Sequence, residues 1–114
     1  MVIHRNEMKT EEKERLRDGD GVLQMVHLVD GSTQKNARLF AEFTVNPGCS
    51  IGYHVHEKET EYYFILSGTA IVNDDGKEVE VKQGDSVITG NGASHSIRNP
   101  GPAPLKFLAV IVTY

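Results

Sequence analysis

The sequence has a single cysteine, and none of its apolar runs approaches the roughly 18 residues of a membrane-spanning helix. Because Cys49 has no partner for an intramolecular disulfide, a disulfide-bonded secreted scaffold is excluded. Cys49 lies in a predicted turn without a neighbouring base, so we interpret it as structural. The N-terminus also lacks the basic-then-apolar pattern of a signal peptide. We therefore expect a cytoplasmic protein without a membrane span.

The chain also lacks an excess of positive charge. The net charge of -4 provides no electrostatic footprint for nucleic acid. A hydrophobic fraction of 39% and a charged fraction of 25% are ordinary for a folded domain. The 114 residues suffice for one core but not for two. We expect one unit, with a polar N-terminal segment at residues 1–20 and a β domain at residues 21–114.

Helical periodicity is missing after the first 20 residues. Residues 10–17 have mixed charge and follow a candidate cap at Thr10, which predicts a short N-terminal helix. From Gly21 onward, short apolar runs alternate with turn residues, a pattern that predicts eight or more strands at a spacing of about ten residues. A β-sandwich or small barrel follows. The apolar run at residues 105–114 predicts a strand buried on both faces that also contributes to a subunit contact.

Two histidines stand one residue apart. On a strand, His54 and His56 point to the same face, because side chains alternate with a period of two. Residues 57–60 are short enough for a hairpin loop, which would place Glu61 opposite His56 and Tyr63 opposite His54. Glu57 and Glu59 would then lie in the loop. This geometry predicts that His54, His56 and Glu61 converge, and selects Glu61 from three nearby carboxylates.

A site with these three groups needs a further ligand, and His95 is the remaining candidate. It lies on a predicted strand between glycine-rich turns. We interpret His4 and His27, which have no suitably spaced partner, as packed or surface residues.

These stretches resemble the two motifs of the cupin superfamily. The first motif, G-x5-H-x-H-x4-E-x6-G, is matched at Gly48, His54, His56, Glu61 and Gly68. The second, G-x5-P-x-G-x2-H-x3-N, is matched at Gly84, Gly92, His95 and Asn99. Gly90 replaces the usual proline, which predicts a looser turn before His95. With the surrounding strand pattern, the resemblance extends over about residues 21–114.

The resemblance implies an all-β fold, a double-stranded β-helix or jelly-roll barrel, with one metal ion bound by His54, His56, Glu61 and His95. It also implies a homodimer. Three imidazoles and a carboxylate suit a divalent transition metal (Fe, Mn, Ni, Cu, Co or Zn) better than calcium or magnesium. Four protein ligands leave about two positions of an octahedral ion open for a ligand. Strand parity turns Tyr63 into the interior, where it is a candidate catalytic residue, although packing is the commoner role of an inward aromatic side chain.

The fold does not determine a reaction. The resemblance implies dioxygenase-, decarboxylase- or isomerase-like chemistry on a small acid, enol or sugar derivative, and we favour a small-molecule enzyme whose metal acts as a Lewis acid. One alternative is a cupin that binds a sugar or metabolite without chemistry. Another is a protein that stores or detoxifies metal.

Overall fold

A computed structural model describes residues 1–114 of the protein. The chain consists almost entirely of strands and turns. The ten strands, numbered in chain order, are β1 (Lys9–Glu14), β2 (Val22–His27), β3 (Ala37–Val45), β4 (Ser50–Val55), β5 (Glu59–Ser67), β6 (Thr69–Asp74), β7 (Lys77–Lys82), β8 (Ser86–Gly90), β9 (Ser94–Arg98) and β10 (Leu105–Thr113). Three short 3-10 helices occur at Arg5–Glu7, Leu16–Asp18 and Gly31–Thr33. None of these helices has the length and apolar character needed to cross a membrane.

The strands form two antiparallel sheets. One has six strands in the order β1-β2-β3-β10-β5-β8, and the other has four in the order β4-β9-β6-β7. The apolar core lies between them, and its largest buried side chains include Tyr63, Phe107, Leu23, Ile65, Ile97 and Leu105. This arrangement confirms the predicted all-β jelly-roll fold.

Strand parity decides which side chains enter the core. In β5, Glu61, Tyr63 and Ile65 are buried, whereas Tyr62 and Phe64 are each 43% exposed. This alternation, predicted from the sequence, places the carboxylate of Glu61 on the same inner face as the core. The central strand β10 pairs with β3 on one side and β5 on the other, and its side chains alternate between buried and half-buried positions. The predicted burial of both faces is therefore wrong, because only the inner face is fully buried.

The predicted helix at residues 10–17 is wrong. Residues 9–14 form β1, which pairs with β2 along its whole length, and a turn at Leu16–Asp18 follows. A highly charged helix would have no apolar stripe to bury, whereas a strand satisfies its backbone groups on β2. As the outer strand of the sheet, β1 also protects that edge with charged side chains.

The predicted hairpin around residues 57–60 is also wrong. Strand β4 pairs with β9 in the four-stranded sheet, while β5 pairs with β10 and β8 in the six-stranded sheet. The link between β4 and β5 therefore crosses from one sheet to the other. His56 and Glu61 approach each other through the interior of the barrel and are not cross-strand neighbours.

Candidate metal centre

Four side chains meet inside the barrel. Three of them lie on strands, and the fourth directly follows the end of a strand. His54 lies on β4 directly opposite His95 on β9, His56 follows the end of β4, and Glu61 lies on β5 of the facing sheet. His56, Glu61 and His95 are buried and His54 is partly buried. The four candidate ligand atoms, one from each residue, all lie within 4.8 Å of one another, so the cluster is able to hold a metal ion.

The inward-facing atoms are closely spaced. The Nε2 atom of His95 lies 3.1 Å from that of His56 and 3.2 Å from that of His54. Oε1 of Glu61 lies 3.0 Å from His56 Nε2 and 2.9 Å from His95 Nε2, but 4.0 Å from His54 Nε2. Ligand atoms about 2.1 Å from a common ion and at right angles to each other are about 3.0 Å apart. The observed spacing therefore fits a single transition-metal ion.

The outer ring nitrogens explain why the Nε2 atoms are available. Nδ1 of His54 donates to the carbonyl of Gly52 at 2.6 Å, and Nδ1 of His56 contacts a carboxylate oxygen of Glu59 at 2.5 Å. Nδ1 of His95 lies 2.8 Å from the hydroxyl of Thr89. With the proton on Nδ1, each neutral ring directs the Nε2 lone pair inward, which is the arrangement that a cation requires.

The protonation preferences of Glu61 and His95 suit the same chemistry, whereas that of His56 opposes it. Burial favours the neutral form of Glu61, but the facing imidazoles of His54, His56 and His95 outweigh it and hold the pKa of Glu61 well below its usual range. Burial lowers the pKa of His95, which favours the neutral imidazole. Burial also acts to lower the pKa of His56, but hydrogen bonds to Glu61 and Glu59 raise it overall. A proton therefore competes with a metal ion most strongly at His56.

Tyr63 lies beside the cluster, as the parity of β5 predicted. Its ring stacks on that of His95 with centroids 4.9 Å apart, and its hydroxyl lies 3.4 Å from His95 Nε2. Burial and the charge of Glu61 raise the pKa of Tyr63 well above its usual value, so the phenol keeps its proton. The catalytic role suggested for Tyr63 stays a prediction, and the hydroxyl is able to donate a hydrogen bond at the site.

Sequence reasoning missed the residues that support the histidines. Glu59 was expected in a loop, but it is the first residue of β5. Its carboxylate contacts His56 and accepts hydrogen bonds from Nε and Nη2 of Arg38 at 2.7 and 2.8 Å. Hydrogen bonds from Arg38, and then from His56, outweigh the effect of burial and lower the pKa of Glu59 to about 2. The parity of β5 offered a signal, because Glu59 precedes Glu61 by two residues. No comparable signal identified Thr89 or Arg38.

A cavity of about 150 Å³ opens onto the cluster. Pockets for drug-sized molecules have volumes of roughly 300 to 1,000 Å³, so this cavity suits a smaller ligand. His54, His56, Glu61 and Tyr63 form its inner end. The rest of the lining is apolar except for three basic residues, and consists of Lys13, Leu16, Arg17, Met25, Arg38, Leu39, Phe43, Ile51 and Ile111. The N-terminal segment thus forms part of the cavity wall.

Gly90, which stands where the motif usually has proline, is the last residue of β8. It pairs with Thr60 of β5, and a Cβ atom at Gly90 would lie 2.3 Å from the Thr60 hydroxyl. Glycine is therefore the residue that lets β8 lie close to β5 at this point.

Two facing antiparallel sheets with a largely buried cluster of three histidines and one glutamate define a small β-barrel protein whose interior is able to hold a metal ion. Residues 41–111 match the cupin domain family, and the chain belongs to that family. This confirms the resemblance seen in the two motifs.

Individual relatives extend the comparison to the whole chain. The "oxalate-binding protein" of Thermotoga maritima is 44% identical over 113 residues, covering 98% of this chain and 93% of that protein. The crystal structure of a "predicted oxalate decarboxylase" from Thermotoga maritima has 43% sequence identity and a TM-score of 0.92, with both chains fully covered.

A more distant structure, a putative sugar phosphate isomerase from Acidithiobacillus ferrooxidans, has a TM-score of 0.80 at 24% identity and covers 99% of this chain and 75% of its own. It shows the shared fold alone.

Proposed function

We propose that this cupin holds one divalent transition metal through His54, His56, Glu61 and His95, and that the metal binds a small dicarboxylate of the oxalate class. The observation that carries the proposal is the convergence of three imidazole Nε2 atoms and a buried carboxylate at the inner end of a small cavity. The name of the Thermotoga maritima relative supplies the ligand class. Iron, manganese, nickel, copper, cobalt and zinc all remain suitable ions.

Enzymatic turnover of the ligand is our leading hypothesis. A bound metal supplies a Lewis acid that stabilises negative charge on a ligand oxygen. Tyr63 keeps its proton and donates a hydrogen bond to the bound acid, while the apolar wall excludes water. For oxalate, a decarboxylase-like reaction breaks the carbon–carbon bond, takes up one proton, and gives carbon dioxide and formate.

The alternative is a protein that binds the acid without chemistry, which the name of the same relative favours. We further infer that the protein acts in the cytoplasm, where an unpaired thiol such as Cys49 stays reduced.

Elemental analysis and ligand titration test the proposal directly. We expect one metal ion per chain in protein purified without added metal, or after reconstitution with one of the six ions, and saturable oxalate binding by calorimetry. Replacing His95 with alanine should weaken metal binding by at least about 100-fold. Loss of a group that only supports a ligand typically lowers metal affinity by about 10- to 100-fold, and this change removes a ligand itself. His4→Ala, a change at an exposed histidine outside the site, is the matched control. Failure of all six ions to bind near stoichiometry would exclude the metal site.

Product analysis separates the two forms of the proposal. Metal-loaded protein is incubated with oxalate under air, and formate and carbon dioxide are measured. Turnover that His95→Ala abolishes and His4→Ala preserves identifies an enzyme. Saturable oxalate binding without product identifies a binding protein.

A further inference from the structure

The three basic residues that line the cavity differ in their partners. Lys13 Nζ lies 3.0 Å from Glu11, and Arg38 forms two hydrogen bonds with Glu59. The guanidinium of Arg17 takes part in no ion pair or hydrogen bond, although it lines the same cavity as His54, His56 and Glu61. Arg17 is therefore the basic residue of this wall whose charge no protein carboxylate neutralises.

The turn that carries Arg17 has an unusual backbone. Arg15, Arg17 and Asp18 have φ values of 51°, 54° and 61°, in the left-handed region that residues other than glycine seldom adopt. Such conformations persist where the surrounding structure holds them and are common at functional sites. Here the conformation turns the chain from β1 back along the cavity mouth to β2.

Contacts with β4 hold this turn in place. The backbone N–H of Ser50 donates to the carbonyl of Asp20 at 2.9 Å, and the Asp20 N–H donates to the Ser50 hydroxyl at 2.8 Å. The carbonyl of Arg17 lies so near Gly52 that a Cβ atom there would be 1.9 Å from it. The turn is thus packed on the strand that carries His54, and direct contacts fix the position of the Arg17 backbone relative to the cluster.

Charge counting indicates what Arg17 is suited to bind. A divalent ion and the ionised Glu61 together carry one positive charge, and a dicarboxylate carries two negative charges. One more cation at the cavity wall would complement the remaining negative charge, and Arg17 offers an exposed guanidinium there. A guanidinium also matches the planar geometry of a carboxylate.

We propose that Arg17 determines specificity for dianions by binding the distal carboxylate of a ligand whose other end is at the metal. The inference rests on the proposed function and assigns a residue outside the cupin motifs to ligand choice. A monocarboxylate has no group for Arg17 to bind, so the residue favours a dicarboxylate over a monoanion of similar size.

The test compares ligands and two neighbouring arginines. Oxalate, malonate, formate and acetate are titrated by calorimetry into metal-loaded wild-type protein, Arg17→Gln and Arg15→Gln. Arg15 is the matched control because it is exposed, lies in the same turn, has a similar φ and does not line the cavity. For Arg17→Gln we expect dianion affinity to fall at least about tenfold, with monoanion affinity changing less than about twofold, since hydrogen bonds to charged groups are among the stronger ones. Metal content and thermal unfolding of the two variants should match.

Each other outcome has a defined meaning. A loss of dianion affinity in Arg17→Gln no larger than in Arg15→Gln, or an equal loss for monoanions, overturns the role of Arg17. A wild-type protein that shows no preference for dianions overturns it as well. If malonate binds in an Arg17-dependent way and oxalate does not bind, the oxalate-class function fails while the role of Arg17 stands.

Discussion

His56 has a carboxylate at each of its two ring nitrogens, which distinguishes it from the other histidines of the cluster. Nε2 faces Glu61 at 3.0 Å, and Nδ1 faces Glu59, which is itself fixed by Arg38 on the cavity wall. The carboxylate of Glu59 therefore sets both the tautomer and the orientation of the ring. Arg38 links the cavity wall to that carboxylate, so a change at the wall can reach the candidate metal site through two side chains.

Glu59→Gln tests this support at the scale of one residue. The variant keeps the shape of the side chain but loses the charge that faces His56 and Arg38. We expect metal affinity to fall by about 10- to 100-fold, the usual effect of losing a partner of a metal ligand. Competition with a chromophoric chelator measures the affinity. Glu57→Gln, a change at an exposed neighbour, is the control, and equal affinities in the two variants would contradict the supporting role of Glu59.

At the scale of secondary-structure elements, the β1–β2 pair replaces the helix that the charged N-terminal segment predicted. Glu11 of β1 contacts Nε2 of His27 on β2 and lies 3.0 Å from Lys13 Nζ. These contacts give His27, which has no role at the metal cluster, a structural function in attaching β1. They also join the strand that precedes the Arg17 turn to the rest of the sheet.

The Glu11 contacts predict a pH-dependent contribution to stability. Hydrogen bonds from His27 and Lys13 lower the pKa of Glu11 from its ordinary value of 4.5 to about 2. Because the folded-state pKa is the lower one, the stabilisation is fully present above about pH 4.5 and is lost as the pH falls towards 2. Glu11→Gln should reduce the free energy of unfolding by up to about 1 kcal/mol near neutral pH, the range for exposed ion pairs, with the difference vanishing at low pH.

Denaturant unfolding at several pH values measures this difference. The control is Glu12→Gln, on the exposed face of the same strand. A constant difference between the Glu11 variant and the wild type from neutral pH down to about pH 2 would contradict the assignment.

At the scale of the whole molecule, the outer face of the six-stranded sheet presents a continuous apolar row. Phe40 of β3, Val110 of β10, Tyr62 of β5 and Ile88 of β8 are successive cross-strand partners. Ile88 is 64% exposed and Tyr62 is 43% exposed. Exposed apolar surface of this kind is typical of subunit contacts, and it favours the predicted homodimer.

Light scattering at micromolar concentration tests the homodimer. We expect a mass of about twice the 12.6 kDa of the chain. Ile88→Lys should shift the mass towards the monomer, because it places a charge in the apolar row. Val55→Lys, at an exposed position on β4 of the other sheet, is the control and should leave the dimer intact. A wild-type monomer would exclude the assembly.

Local patterns in the sequence were enough for much of the fold and for the members of the candidate site. Apolar alternation and turn residues predicted an all-β chain of short strands, and the inward parity of Glu61 and Tyr63 was correct. Strand alternation indicated that His54 and His56 share a face, and the resemblance to the two cupin motifs indicated the complete cluster with Glu61 and His95. The hairpin used to choose Glu61 is absent, yet the residue is in the cluster.

Only the tertiary structure decided how those residues meet and what surrounds them. The pairing of β1 with β2, the passage from β4 to β5 between sheets, and the approach of Thr89, Glu59 and Arg38 to the site all depend on contacts between separate strands. Such contacts depend on the burial of the whole core and on the pairing of every backbone group. No short window of the sequence contains that information. The sequence by itself thus determined a β-barrel cupin with a cluster of three histidines and one glutamate. The three-dimensional packing decided which residues support those histidines and placed Arg17 on the wall of the adjacent cavity.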